Sequence, residues 1–183
     1  QSSQNRLPLD RADAMNSAVT NERDLGVFFY WAPAKTRKLF SSLVSEGLKG
    51  SGDYGVLGIG VYNGQTANRP ELNSNKHVVA RASYPVQIKN QVLEAGIQAY
   101  KGQFTLLSTT SGVTTLEDKL YDDQRVGATF VLYPKPFGIL AEYNIGRGPE
   151  YDKLTNSVIT SPLKGGFITA SYKLDFNGQT LIP

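Results

Sequence analysis

The stretch of sequence that decides the fold is residues 77–102, which read HVVARASYPVQIKNQVLEAGIQAYKG. On both sides of the central polar segment IKNQ, apolar or small side chains occupy every second position, with mixed polar and small side chains between them. A period of two is typical of β-strands, and a short polar connector between two such runs predicts an antiparallel hairpin. The predicted apolar face carries Val78, Ala80, Ala82, Tyr84, Leu93, Ala95, Ile97 and Ala99.

The same alternation recurs in five other parts of the chain, which predicts seven strands and an all-β, antiparallel fold. The five runs are residues 24–31, 54–62, 125–133, 139–146 and 168–174. Residues 34–53 begin with basic side chains and continue with apolar ones at helical spacing, so a short helix is expected there. We interpret residues 1–183 as a single domain, with a loop and short helix in 1–23, barrel strands and loops in 24–176, and a tail in 177–183.

Composition argues against several classes of function. The 183 residues carry a net charge of +3, from 19 basic and 16 acidic side chains without a long run of either sign, so no nucleic-acid partner is expected. The chain has no cysteine and a single histidine, His77, so neither a metal nor another cofactor is expected, and no motif predicts an enzyme. No apolar run is long enough for a transmembrane helix. The first residue is Gln1 rather than Met, which we interpret as the mature or a partial form of an exported protein.

The connectors between the predicted strands alternate in length. Long polar loops are expected at residues 63–75, 103–124 and 147–164, and tight turns at 88–91 and 134–138. All long loops then emerge at one end of the sheet, as in transmembrane β-barrels of the bacterial outer membrane, whose interfaces also carry aromatic girdles. The tyrosines expected in such a girdle are Tyr62, Tyr84, Tyr100, Tyr133 and Tyr143. A soluble β-sandwich or small barrel also alternates and is the alternative fold.

Several short motifs follow one another over residues 10–174. They are RDLGV at 23–27, GIGVYNG at 58–64, ARASYP at 80–85, YKG at 100–102, AEY at 141–143 and GGFITASY at 165–172. Their order and spacing resemble the phosphate-selective porin O and P family. The resemblance implies a trimeric, 16-stranded porin in the outer membrane of a Gram-negative bacterium, which serves ion transport by letting small anions or other small solutes diffuse through it.

The number of predicted strands departs from that pattern. Seven strands cannot enclose an aqueous lumen of porin width. We therefore expect this chain to be the middle and later part of a larger porin chain.

If the strands line a pore, the alternation identifies the side chains that face its lumen. They are Asp24, Arg81, Glu94, Gln98, Arg125, Glu142, Asn144 and Lys173. Arg81 and Arg125 are the favoured anion contacts, because a guanidinium presents a fork of donors to oxyanions. The alternative is that these arginines pair with glutamates of neighbouring strands, Glu94 and Glu142, and stabilise the barrel wall.

Two other functions are compatible with parts of the sequence. A non-conducting structural or binding β-protein at the cell surface would present its long loops to a partner. Glu94 and Glu142 also provide the two carboxylates that a glycoside hydrolase requires, but no cleft signal accompanies them.

Overall fold

The computed structural model describes residues 25–48, 55–64, 72–176 and 179–181, and its main feature is an antiparallel sheet of seven strands. The strands are β1 (Gly26–Trp31), β2 (Leu57–Tyr62), β3 (His77–Ile88), β4 (Gln91–Thr105), β5 (Leu120–Leu132), β6 (Phe137–Asp152) and β7 (Ser157–Tyr172). Each strand pairs with the next in sequence, so the sheet is a simple meander. All seven predicted strands are confirmed. The loop and short helix expected in residues 1–23 lie outside the described residues, as does Asp24.

A short hairpin follows the sheet. Its strands are β8 (Leu174–Phe176) and β9 (Gln179–Leu181), which pair with each other in a separate two-stranded sheet. This hairpin is not predictable from the sequence pattern, because strands of three residues are too short to show an alternation of apolar and polar side chains.

The predicted hairpin of residues 77–102 is confirmed, and its turn is shorter than the expected connector 88–91. Ile88 pairs with Gln91, so only residues 89–90 lie in the turn between β3 and β4. Lys89 has a φ of 54°, in the left-handed region that two-residue hairpin turns require at their first central position.

Two of the predicted loops are shorter than expected. β4 continues to Thr105 and β5 begins at Leu120, so the loop between them is residues 106–119. β6 and β7 run on to Asp152 and from Ser157, so most of the expected loop 147–164 is a paired hairpin with a turn at 153–156. Both faces of this hairpin contact solvent, so its pairing continues without an apolar alternation that the sequence could display.

Two prolines in this hairpin also suggested a loop. Pro149 in β6 lies beyond Arg147, the last residue of β6 that pairs with β5, and Pro162 lies in the edge strand β7. Proline cannot donate a backbone hydrogen bond, and both prolines lie where one side of their strand needs no donor.

Asp152 closes the turn between β6 and β7. Its carboxylate accepts a hydrogen bond from Thr155 Oγ1 at 2.7 Å and one from the Leu154 backbone N–H at 2.9 Å. These two bonds, the Thr155 hydroxyl first, hold the pKa of Asp152 below its ordinary value because they favour the charged form.

The connectors define two ends of the sheet. We call the end at which β2 leaves the sheet and β3 enters it, with residues 106–119 and 153–156, the loop end, and the end with the turns at 89–90 and 133–136 the turn end. The connectors after β2 and β4 are long and lie at the loop end, as predicted, whereas the connector after β6 is a short turn and one long connector lies at the opposite end. The connector between β1 and β2 lies at the turn end and contains helix α1 (Ala34–Ser45), which confirms the predicted helix.

Helix α1 packs on the sheet at the turn end and forms the hydrophobic core with it. Phe40 and Leu43 of the helix are completely buried and cluster with Val92, Val131 and Tyr133. The three sheet residues lie on the polar face of β4 and β5, so the helix covers the turn end of that face. Within the described ranges, no helix is both long and apolar enough to cross a bilayer.

The sheet is open in the part of the chain that the structure describes. β1 and β7 are its two edge strands, and each pairs with one other strand; β7 is also linked to loop 106–119 by an isolated bridge between Ser157 and Thr114. The structure therefore shows an all-β fold with a seven-stranded antiparallel sheet, whereas closure into a barrel belongs to the proposal below.

Candidate functional site

The two faces of the sheet have the opposite exposure from that of a soluble protein. On the apolar face, large side chains contact solvent: Ile97 is 56% exposed and Ile168 is 80% exposed. On the polar face, Glu94 and Asp123 are only 2% and 4% exposed. In a water-soluble sheet the apolar face packs on a core and the polar face is solvated. Here the apolar face requires an apolar environment outside the described residues.

The exposed apolar face is continuous across the sheet. Its large side chains include Leu57, Ile59, Val61, Val78, Tyr84, Val86, Ile97, Val126, Phe130, Phe137, Tyr143, Ile145, Ile168 and Tyr172. Soluble monomers rarely expose apolar patches of more than a few hundred Å². A surface of this extent marks contact with a membrane or with another protein.

The apolar face ends towards the loop end at a polar row. Lys101, Gln124 and Arg147 lie in register on β4, β5 and β6 and follow directly on the apolar positions of those strands. Arg147 also pairs with the exposed Asp122 at 2.9 Å. On β6, the eight steps from Phe137 to Ile145 cover about 27 Å along the strand. At a tilt of about 40° this is a band about 20 Å tall, close to the lipid-facing band of outer-membrane barrels.

Most of the predicted lumen residues lie together on the polar face. They are Arg81, Glu94, Gln98, Arg125, Glu142 and Asn144. Lys173 lies just beyond β7, where its backbone N–H donates to the Pro136 carbonyl at 2.7 Å. Asp24 lies outside the described residues. These six residues share one face of the sheet, as the predicted alternation requires. That this face lines a pore stays a prediction.

Glu94 is the centre of a buried polar cluster at the turn end. It accepts a hydrogen bond from the Tyr133 hydroxyl at 2.7 Å and pairs with Arg81 at 3.3 Å. Helix α1 covers this part of the sheet, since Phe40 belongs to the same core cluster as Tyr133. A buried carboxylate is tolerated because it has both a cation and a hydroxyl donor.

A second polar cluster lies nearer the loop end. The Tyr100 hydroxyl donates to Asp123 Oδ2 at 2.8 Å, and Arg125 Nε lies 3.2 Å from Asp123 Oδ1. Arg125 is therefore paired with an acid of its own strand rather than with a glutamate of a neighbouring strand. Both predicted anion-contacting arginines, Arg81 and Arg125, are in ion pairs.

Polar side chains also meet over a glycine in the middle of the face. Gln98, Gly127 and Asn144 lie in register on three neighbouring strands. A Cβ at Gly127 would overlap Asn144 Oδ1 and lie 3.0 Å from Gln98 Nε2, so the glycine leaves the space that both amides use. Asn144 Nδ2 also donates to Glu142 Oε1 at 2.8 Å.

Only two of the five tyrosines predicted for an interfacial girdle lie on the apolar face. They are Tyr84 and Tyr143, and both are exposed. Tyr62, Tyr100 and Tyr133 lie on the opposite face by the strand alternation, and Tyr133 is completely buried. These three cannot face lipid, because a strand directs neighbouring side chains to opposite sides.

A row of rings crosses the polar face from β1 to β4. Phe28 stacks with Tyr30 and Tyr62, the ring of His77 lies 5.2 Å from that of Tyr62, and Tyr100 lies 5.4 Å from His77. His77 is buried, and its Nε2 lies 3.0 Å from the Gln103 carbonyl oxygen. His77 is therefore part of this row of rings.

Two glycines provide the space for the His77 ring. A Cβ at Gly64 or at Gly102 would overlap ring atoms of His77. Gly102 is opposite His77 in the β3–β4 ladder, one position beyond the pair Val78 and Lys101. The histidine therefore lies in a slot that only glycine permits.

Gly102→Ala is expected to displace His77 and to destabilise the protein by about 1–3 kcal/mol, as overpacking of a filled site does. The matched control is Gly165→Ala, because Gly165 is also a strand glycine but has no heavy atom within 4 Å of an added Cβ. The unfolding midpoint of both variants measures the effect. Equal midpoints for the two variants would contradict the assigned packing of His77.

Two residues of these clusters were not predicted from the sequence, the acceptor Asp123 and the donor Tyr133. Asp123 falls inside the expected loop 103–124, although Tyr121, Asp123 and Arg125 continue the alternation of β5. Tyr133 was predicted to lie in the interfacial girdle. Its burial could not be predicted, because it depends on helix α1, which is distant in the sequence. Only the alternation of β5 could have identified Asp123.

Comparisons with known proteins identify no relative. No protein-family model matches the chain, and neither a curated protein nor a solved structure is significantly similar to it. The resemblance to the phosphate-selective porin O and P family therefore stays a prediction from the motifs.

Proposed function

We propose that this chain is part of an outer-membrane porin that lets small solutes diffuse passively across the bacterial outer membrane. The observation that carries the proposal is the inverted exposure of the sheet, in which the apolar face is exposed and the polar face holds the buried charges. Lipid is the environment that suits the first face, and a water-filled lumen suits the second.

In this proposal the seven strands form an arc of a larger barrel, whose 16 strands and trimeric assembly follow the predicted resemblance. The edge positions of β1 and β7 support it, since neither has a second neighbouring strand within the described residues, and an unpaired strand edge in the hydrocarbon region is costly and is removed in a barrel. The loop end carries the long connectors and would face outward, while the turn end would face the periplasm.

Helix α1 would narrow the pore at its periplasmic end. It packs on the lumen-side face of β4 and β5 through Phe40 and Leu43. A second contact ties it to the turn after β5, where Lys135 pairs with Glu46 at the end of the helix at 2.7 Å. The helix would thus reduce the cross-section of the pore without blocking it.

The charges of the polar face favour weak selectivity. Arg81 pairs with Glu94 and Arg125 pairs with Asp123, so each of these cations is neutralised by a nearby acid. For Arg81, whose partner is on a neighbouring strand, this supports the wall-stabilising alternative over direct anion contact, whereas the partner of Arg125 lies on its own strand. Phosphate or general anion selectivity would then depend on other cations, and the exposed Lys35, Arg37 and Lys38 of helix α1 are candidates.

The test of lipid contact uses two neighbouring residues on opposite faces. Ile97→Arg is expected to impair insertion, because an arginine facing the lipid midplane costs about 2–4 kcal/mol. Gln98→Arg, the matched control, is expected to insert as the unmodified protein does, because Gln98 faces the proposed lumen. Folding into lipid vesicles, followed by urea titration, measures both.

Planar-bilayer recordings complete the test. The folded protein is expected to produce stepwise conductance, and Gln98→Arg is expected to change its size. A water-soluble monomer that tolerates Ile97→Arg and produces no conductance would overturn the proposal. It would favour the structural or binding β-protein.

A further inference from the structure

Three aromatic rings, two of them exposed and that of Tyr62 half-buried, form a surface on the polar face near its β1 edge. We call Phe28, Tyr30 and Tyr62 the aromatic platform. The ring centroids of Phe28 and Tyr30 are 6.2 Å apart with an angle of 4° between the ring planes. Those of Phe28 and Tyr62 are 6.3 Å apart with an angle of 19°. The three rings are therefore nearly parallel.

Glycines let one of these rings lie directly on the sheet. Phe28 pairs with Gly60 across the β1–β2 ladder, and a Cβ at Gly60 would overlap the Phe28 ring. Tyr30 is likewise opposite Gly58, and both glycines are buried. The Phe28 ring thus lies directly against the backbone of β2.

Two rings of the platform are exposed although they are large and aromatic. Phe28 and Tyr30 are each 45% exposed, on a face where the acids Glu94 and Asp123 are buried. Aromatic surface in contact with water is unfavourable, so a ligand that covers the rings gains free energy from its burial.

The shape of the platform favours one class of ligand. A cation is typically bound in an aromatic cage, whose rings face it from several directions. The ring planes here differ by only 4° and 19°, so the three rings do not form a cage. A pyranose has a flat face of C–H groups, whose partial positive charge suits the negative face of an aromatic ring. Several parallel rings in a row suit a chain of such sugars.

Polar groups continue the row beyond the platform. Tyr62 leads through His77 to Tyr100, whose hydroxyl is bonded to Asp123. His77 and Asp123 are buried, so these contacts anchor the Tyr62 end of the platform in the sheet.

We propose that the aromatic platform is a binding subsite for neutral oligosaccharides built of pyranose units, which stack their C–H faces on Phe28, Tyr30 and Tyr62. That the bound sugar passes through a pore rests on the proposed function, whereas binding itself does not require a closed barrel. The inference thus names a solute class for the polar face.

The test measures binding of maltohexaose to the full chain by isothermal titration calorimetry. The protein is folded in a polyoxyethylene detergent, which has no sugar headgroup to compete. Saturable binding is expected, and Phe28→Ala is expected to weaken it at least tenfold. Phe28→Trp is expected to retain it, since a larger ring preserves the stacking surface.

The matched control is Phe29→Ala. Phe29 is adjacent on β1 but lies on the apolar face with 59% exposure, so its removal is expected to leave the affinity within twofold. Circular dichroism establishes that each variant is folded. Absence of saturable binding to the folded protein, equal losses in both alanine variants, or binding of adenosine but not maltohexaose would each overturn the inference.

Conductance separates this inference from the proposed function. Conductance without binding of maltohexaose overturns the sugar subsite and leaves the porin proposal intact. Binding without conductance overturns the porin proposal and supports the subsite.

Discussion

Replacing Phe40 with alanine is expected to lower the free energy of unfolding by about 3–5 kcal/mol and to raise the single-channel conductance. Phe40 is completely buried between helix α1 and the sheet, where it clusters with Val92, Val131 and Tyr133. Its removal leaves a cavity that the surrounding strands cannot fill, so the helix loses its main contact with the sheet. Urea titration in detergent measures the first effect, and bilayer recordings measure the second.

The control for Phe40 lies on the same helix. Val44 is exposed, so Val44→Ala removes apolar surface without opening the core and is expected to change stability by less than about 0.5 kcal/mol. If Phe40→Ala unfolds more readily but conducts as the unmodified protein does, helix α1 lies outside the conduction path. The proposed narrowing at the turn end would then be wrong.

Removing the carboxylate of Glu94 is expected to destabilise the protein by about 3–5 kcal/mol, because it breaks a buried ion pair. Glu94→Ala leaves Arg81 without its acid and the buried Tyr133 hydroxyl without its acceptor. Tyr133→Phe removes a single donor and is expected to cost about 1–3 kcal/mol. Unfolding midpoints of both variants give the two values.

A double-mutant cycle distinguishes pairing from simple loss of volume. Arg81→Ala combined with Glu94→Ala is expected to cost less than the sum of the single changes, because neither charge is then left unpaired. Glu142→Ala is the control, since Glu142 is half-buried and bonded to Asn144 rather than to a cation. Additive losses for Arg81 and Glu94 would contradict the assigned pair.

The strands could be predicted from the sequence because their alternation is local. Every second side chain of residues 77–102 is apolar, and a period of two needs no knowledge of the partner strand. The same rule placed Arg81, Glu94 and Gln98 on one face. These three residues share a face because of the strand backbone alone, whatever their side chains contact.

The contacts of that face could not be predicted in the same way. Arg125 pairs with Asp123, which polar neighbours in the sequence had assigned to a loop. Tyr133 is buried by Phe40, a residue far away in the chain. A side chain's partner depends on which distant element covers it, and alternation carries no information about that.

The part of the β6–β7 hairpin at the loop end determines the surface that this end presents to a binding partner. Loop 106–119 is tied to it, since the Thr114 N–H donates to the Asn156 carbonyl at 3.0 Å and the Val158 N–H donates to the Thr114 carbonyl at 2.9 Å. The Asn156 side chain also donates to the Gly112 carbonyl at 2.8 Å. Two connectors thus form one preformed surface, and a partner that docks there would lose little affinity to the ordering of loops.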